Sequence, residues 1–216
     1  LGCPAAMYLA SAGVGRIVLV DDDVVEVSNL QRQIGHRQNA VGKPKVVSLQ
    51  ETLNALNPLV SIRSIDRRLT EEELMLQVAA VDVVLDCSDN FSTRFMLNRV
   101  CVKQCKPLVS GAAIRAEGQL AVFDLRRPES PCYRCLYDEA VPGETTHCAS
   151  NGVLAPLVGV IGSMQAVEAI KLIAHYGVIG MGRLLVGDLK QGEWRQLTVK
   201  KDRHCTVCSG VLSDAQ

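Results

Sequence analysis

The feature that most constrains this chain is a recurring short apolar run that ends in acids and is followed by a helical stretch. RIVLVD, residues 16–21, is one such run, and VDVVLDCSDN, residues 81–90, is another. Runs of this length without polar alternation have no face to give to water. They read as strands buried on both sides, as in parallel sheets. The stretches between them carry helical signals. Residues 43–57 repeat Val46, Leu49, Leu53 and Leu56 on one face and stop at Pro58. Residues 71–80 follow Thr70, a good N-cap, and residues 92–104 precede the strand PLVSGAAI. QLAVFDL continues as a strand, and residues 152–176 form a long apolar helix. RLLVGDL and EWRQLTVK make a closing hairpin around Gln191-Gly192. Together these predict an α/β protein: a doubly wound, Rossmann-like, mostly parallel sheet with an antiparallel C-terminal extension and a metal site.

The chain opens on a helix, LGCPAAMYLASAGVG, closed by Gly13 and Gly15. A doubly wound nucleotide fold opens instead with a strand, a glycine-rich turn and then a helix facing the phosphates. The expectation is one domain over residues 1–216, with that strand and loop upstream of Leu1 and Gly2 as the last loop glycine. A chain of 216 residues can bury a substantial core. Its 23 basic and 23 acidic residues cancel, which argues against nucleic acid or any general polyanion as partner. No apolar run reaches the roughly 18 residues of a membrane span, so no membrane partner is expected. Nine cysteines, an odd number in a chain too large to need staples, fit the cytoplasm better than secretion.

Several constellations carry chemistry. Cys132/Cys135 and Cys205/Cys208 are two CxxC pairs far apart in sequence, the layout of a four-thiolate zinc site. Unrelated structural cysteines are the plainer reading; a redox pair is disfavoured because neither pair is expected to open a helix after a strand. Asp21 follows Gly2 by roughly 20 residues, the spacing at which such folds place an acid on a ribose hydroxyl. Arg32 and Lys45 fall on the same rim of the sheet, and two cations there suggest a polyphosphate. Either cation alone would read as a solvated surface charge. Asp89, past the end of the second strand, can hold Mg²⁺ through its carboxylate, or else cap the next helix. Arg94, one turn further, would support Asp89 or a phosphate. Cys148, beside His147 and before the long helix, is a candidate thiol nucleophile against the plainer reading of a small packed residue. Cys3, Cys87, Cys101 and Cys105 read as core packing within helices or strands.

GCPAAMYLASAGVGRIVLVDDDVVEVSNLQRQ, VGKPKV, VLDCSDNFSTR, PLVSGAAIRAEGQLAVF, CYRCL, CASNGVLAPLVGVIGSMQAVEAIKL and CTVC occur here in one order over nearly the whole chain. Together they resemble the MoeB/ThiF-type, ubiquitin-activating-enzyme-like adenylyltransferases. The resemblance implies ATP as substrate, Mg²⁺, a structural zinc and a cytoplasmic homodimer. It also implies adenylation of the C-terminal glycine of a small ubiquitin-like sulfur carrier, with release of pyrophosphate. By this resemblance Gly2 borders the phosphate loop and Asp21 holds the ribose. Ser28, Asn29, Leu30, Gln31 and Arg32 line the nucleotide, and Arg32 and Lys45 meet the phosphates. Asp89 coordinates Mg²⁺ with Asn90 beside it, and Cys132, Cys135, Cys205 and Cys208 bind zinc. Cys148 matches a loop cysteine that in some members carries sulfur as an acyl disulfide or thioester and is not needed for adenylation. An arginine upstream of Leu1 would be lent across the dimer.

GAAIRAEGQLAVF and GVLAPLVGVIGSMQAVEAIKLIAHYG are closer to the MoeB branch, and VDDDVVEVSNLQRQI to the ThiF branch. The first implies a MoaD-like carrier of molybdopterin biosynthesis, served by a separate sulfurtransferase. The second implies a ThiS-like carrier of thiamine thiazole synthesis. A nicotinamide-dependent oxidoreductase and a non-catalytic zinc-stabilised scaffold remain as readings from other classes.

Overall fold

The computed structural model describes residues 1–139 and 152–210. Helix α1 (Gly2–Ser11) is followed, past Gly13 in the left-handed region (φ 81°), by strand β1 (Arg16–Val20). Next come α2 (Lys45–Leu56), β2 (Ser61–Ile65), α3 (Glu71–Ala79), β3 (Val84–Asp86) and α4 (Phe91–Lys103). Strands β4 (Leu108–Ile114) and β5 (Glu117–Phe123), a short helix α5 (Tyr133–Leu136) and the long helix α6 (Ala155–Ala174) follow. Strands β6 (Arg183–Asp188) and β7 (Glu193–Thr198) complete the order.

The helix starts obey local chemistry. Thr70 accepts from the Glu73 N–H, and the Glu73 carboxylate accepts from the Thr70 N–H, closing a capping box on α3. Pro156 sits in the first turn of α6, where its missing N–H costs nothing.

The strands form two sheets. β1 and β2 pair in parallel, Arg16 opposite Ser61 through Val20 opposite Ile65. The other sheet runs β3-β4-β5-β6-β7. Only β3–β4 is parallel in it; the remaining neighbours are antiparallel. The antiparallel part therefore begins at β5 and is larger than a C-terminal hairpin. The cause is local: Arg115, at φ 50°, and Ala116 join β4 to β5, and a two-residue link returns the chain beside itself. The closing hairpin turns at Gly192 (φ 72°), as its sequence requires.

Alternation along β4 separates two layers of core. Leu108 points with Phe95, Val100, Phe123 and Tyr133 toward α3–α5, while Val109 joins Leu120, Val122 and Leu172 on the α6 side. A further cluster joins α1, β1, α2 and α6 through Leu9, Ile17, Leu53 and Ala169. Helix α6 thus lies between α1 and the large sheet. At 20 residues and a mean hydropathy of 1.6 it is long and apolar enough to cross a membrane, which the sequence reading did not expect. One face of it is used inside the fold, where Leu157, Val158, Ile161, Ala166, Ala169 and Leu172 are buried, while Val160, Val167 and Ile173 are exposed.

Candidate functional site

Three segments meet at the N-terminus of α1. The first is the acidic turn after β1. Asp22 pairs with Arg68 at 2.8 Å and Asp23 with Lys45 at 2.6 Å. Asp21 has no ion pair among the described residues; its Oδ1 accepts from the Asp23 N–H at 2.9 Å. Burial pushes the Asp21 carboxyl above its ordinary range, against the pull of that N–H and of Lys45.

The second segment carries Arg32 and Lys45. Residues 27–29 form a single 3₁₀ turn. Asn29 is buried, and its Oδ1 accepts from the Glu26 N–H at 3.2 Å, so its side chain shapes the loop. Ser28 Oγ donates to Glu26 at 3.0 Å. Leu30 and Gln31 carry the chain on to Arg32, whose guanidinium donates back to the Ser28 carbonyl at 2.9 Å. Lys45 opens α2. A buried residue that sequence reasoning did not single out ties this segment together: His36 Nδ1 lies 2.9 Å from Ser48 Oγ on α2, and Nε2 lies 3.6 Å from Cys3 Sγ on α1. Desolvation and the nearby Lys45 charge hold the imidazole below its ordinary pKa. An isolated histidine between Gly35 and Arg37 gives no sequence signal of such a role.

The third segment is the turn after β3. Asn90, not Asp89, caps α4, accepting from the Thr93 N–H at 2.9 Å. Asp89 is exposed, makes no ion pair among the described residues, and has the Asn90 amide 3.4 Å away. The alternative role of Asp89 as a cap is thus removed. Arg94 is buried and donates to the Ser88 carbonyl at 2.7 Å, supporting the turn from behind. Cys87 and Cys105 lie just past their elements, not within them. A Cβ on Gly2 would stand 3.8 Å from Cys87 Cβ, so the start of α1 abuts this turn. The charges of Lys45 and Asp21 also reach the Cys3 thiol, whose pKa is raised mainly by burial. No direct side-chain contact joins Asp89 to Asp21, Arg32 or Lys45 among the described residues; α1 is what lies between them.

The second constellation is compact. Ligand atoms of Cys132, Cys135, Cys205 and Cys208 all lie within 4.8 Å of one another. Sulfur separations are 3.7 Å for Cys132–Cys205, 3.5 Å for Cys135–Cys208 and 4.0 Å for Cys132–Cys135. Four sulfurs at about 2.3 Å from zinc span tetrahedral edges of about 3.8 Å, so this donor set fits the ion. Cys132 stands at the N-cap of the four-residue helix α5, which does not follow directly on strand β5. Convergence of all four sulfurs, not helix position, distinguishes a four-ligand site from a redox pair. Hydrogen bonds from neighbouring sulfurs, Cys132 first, hold the Cys135 thiol far below its ordinary range. Asn98, fully buried, donates to Cys132 Sγ at 3.6 Å and accepts from the Tyr133 N–H at 2.8 Å, orienting this knuckle from α4. Cys148 lies outside the described residues.

Known proteins extend this picture. The ThiF family profile matches residues 1–208. A molybdopterin-synthase adenylyltransferase of Salmonella typhimurium is 47% identical over 209 residues, 96% of this chain and 83% of the relative. The protein of the same name from Escherichia coli is 46% identical over 209 residues, again 96% of this chain and 83% of the relative. An adenylyltransferase and sulfurtransferase, MOCS3 of Dictyostelium discoideum, is 45% identical over 212 residues; these are 96% of this chain and 49% of that longer protein. In fold, the chain resembles E. coli MccB solved with ATP. The TM-score is 0.81 at 22% identity, over 96% of this chain and 63% of MccB. With its motifs in order along almost its entire length, this chain belongs to the ThiF family.

Proposed function

We propose that this protein adenylates the C-terminal glycine of a ubiquitin-like sulfur carrier at the expense of ATP, releasing pyrophosphate, and that the carrier is MoaD-like. The observation that carries this reading is the meeting of Asp21, Lys45 and the turn that carries Asp89 at the start of one helix, in a chain nearly half identical to molybdopterin-synthase adenylyltransferases. On this reading Asp21, which forms no ion pair among the described residues, accepts the ribose hydroxyls. Residues 28–32 line the nucleotide. Arg32 and Lys45 take the phosphate charge; Asp23 holds the Lys45 ammonium in place before ATP arrives. Asp89, with Asn90 beside it, would hold Mg²⁺, which supplies charge neutralisation at the phosphates when bound.

The carrier carboxylate attacks the α-phosphorus, and the bond to the pyrophosphate oxygen breaks. An acyl-adenylate and pyrophosphate result. The reaction sets anion against anion, so the work of the protein is positioning and charge stabilisation by Arg32 and Lys45. No protein nucleophile is required, and Cys148 is assigned no part in this step. Sulfur then comes from a separate sulfurtransferase. Cys132, Cys135, Cys205 and Cys208 hold a structural zinc that fastens the C-terminal segment to the knuckle after β5. The working enzyme is a cytoplasmic homodimer.

Carrier-dependent pyrophosphate exchange tests the reading. The full-length protein should exchange labelled pyrophosphate into ATP only when a carrier with a free C-terminal glycine is present. Exchange with a ThiS-like carrier but not a MoaD-like one would move the assignment to thiazole synthesis. Preference for a nicotinamide dinucleotide over ATP, or no exchange with any carrier, would overturn it.

A further inference from the structure

Gln165 is a polar residue in the middle of the most apolar helix, and it is 0% exposed. Every polar atom of its amide is used on the sheet beneath. Nε2 donates to the Asp86 carbonyl at 2.7 Å and to the Val109 carbonyl at 3.1 Å. Oε1 accepts from the Cys87 thiol at 3.5 Å. The amide reaches there because residue 111 is glycine: a Cβ at that position would lie 2.5 Å from Gln165 Cδ.

The same turn is held by a second buried group. The Asp86 side chain, 1% exposed, forms no ion pair among the described residues. It accepts instead from the Ser88 N–H at 3.0 Å, Ser88 Oγ at 2.6 Å and Ser110 Oγ at 2.8 Å. A buried carboxyl needs hydrogen-bond donors in place of water, and these three supply them. Gln165 therefore anchors the Asp86 carbonyl and the Cys87 thiol, while the Asp86 side chain, itself held by Ser110, holds Ser88. The next residue is Asp89, exposed and without an ion pair among the described residues.

We propose that the buried Gln165–Asp86–Ser110 network positions Asp89: it holds the turn rigid so that this carboxylate meets the nucleotide-bound metal without reorganising. Packing alone would not need this residue. A methionine fills nearly the same volume without an amide, and a leucine or methionine is the usual occupant of such a site in a helix. The inference rests on the reading of Asp89 as the metal-holding residue given above.

The test uses the full-length protein with ATP and Mn²⁺ as a spectroscopic substitute for Mg²⁺. Mn²⁺ affinity is read by electron paramagnetic resonance, and melting temperature is read in parallel. Gln165→Met should weaken Mn²⁺ binding to the protein–ATP complex by about tenfold or more, the range seen when residues behind a metal ligand are changed. Metal-free ATP affinity should stay within about twofold. Ser110→Ala, which removes one hydroxyl, should shift Mn²⁺ affinity in the same direction by about threefold, and it decides the matter if Gln165→Met does not fold. Asp89→Asn is the control. If Asp89→Asn weakens Mn²⁺ binding while Gln165→Met, or Ser110→Ala in its place, leaves it unchanged, the positioning role is wrong and the metal assignment stands. If Asp89→Asn itself leaves Mn²⁺ binding unchanged, the metal assignment falls and this inference falls with it.

Discussion

Four sulfurs drawn from residues 132–208 lie within 4.8 Å of one another, whereas the residues expected around the nucleotide come from three segments between residues 2 and 90. In the cysteine cluster the functional atoms touch each other directly, with Asn98 and the Asp202 N–H donating to two of the sulfurs. At the nucleotide rim the contacts lie behind the functional groups: Asn29 shapes the loop of Arg32, His36 ties that loop to α1 and α2, and Gln165 and Asp86 hold the turn of Asp89. The difference follows from what each site receives. A small ion needs four donors at fixed range. A large charged substrate needs open groups on a rigid frame, because rigidity supplied beforehand is not lost on binding.

Breaking the cluster should have the largest effect on the fold. Cys132→Ser or Cys205→Ser removes one of four thiolates, and we expect a stability loss of about 3 kcal/mol or more, roughly 10 °C in melting temperature. Chelation of the wild-type protein should produce the same drop. Elemental analysis should give close to one zinc per chain; much less would contradict the assignment.

At the rim the effects should appear in catalysis and spare the fold. Asp89→Asn should reduce carrier-dependent pyrophosphate exchange about a thousandfold, or about 4 kcal/mol of transition-state stabilisation. Its melting temperature should change little, since the exposed carboxylate forms no ion pair among the described residues and asparagine can still accept from the Asn90 amide. A variant keeping most of its exchange activity would remove Asp89 from the mechanism. A smaller effect should separate local helix chemistry from both sites. Thr70→Ala breaks the capping box of α3 and should cost about 1 kcal/mol, seen as a few degrees in melting temperature, with exchange kinetics unchanged. Smallest of all should be Cys148→Ala on AMP addition. A carboxylate attacks phosphorus without help from a thiol, so the rate should stay within about twofold, and a change should surface only when thiocarboxylate is formed.

The two regions also differed in how far they could be read from sequence. A CxxC spacing is local, so both pairs were visible, and each could be recognised as half of a site. Strand ends marked by Asp21 and Asp89, and the Thr70 cap, were equally local. What sequence did not reveal was everything that works across long separations. Gln165 stands out only as a polar break in an apolar helix, yet it acts on residues 79 and 56 positions away. His36 acts on Cys3, 33 residues back, and carries no motif. Asn90 took the cap from Asp89 because one residue of register decides which side chain reaches the Thr93 N–H. The antiparallel turn at Arg115 escaped notice because the left-handed conformation it needs is usually supplied by glycine.

The central claim is the transfer of AMP to a carrier tail, and carrier mass reads it directly. Full-length protein, ATP, Mg²⁺ and a MoaD-like carrier should give a carrier heavier by one adenylyl group, in parallel with pyrophosphate release. The gain should disappear when the carrier's terminal glycine is removed and when Asp89 is replaced by asparagine. A carrier whose mass never changes, with MoaD-like and ThiS-like proteins both supplied and ATP shown to bind, would contradict the account.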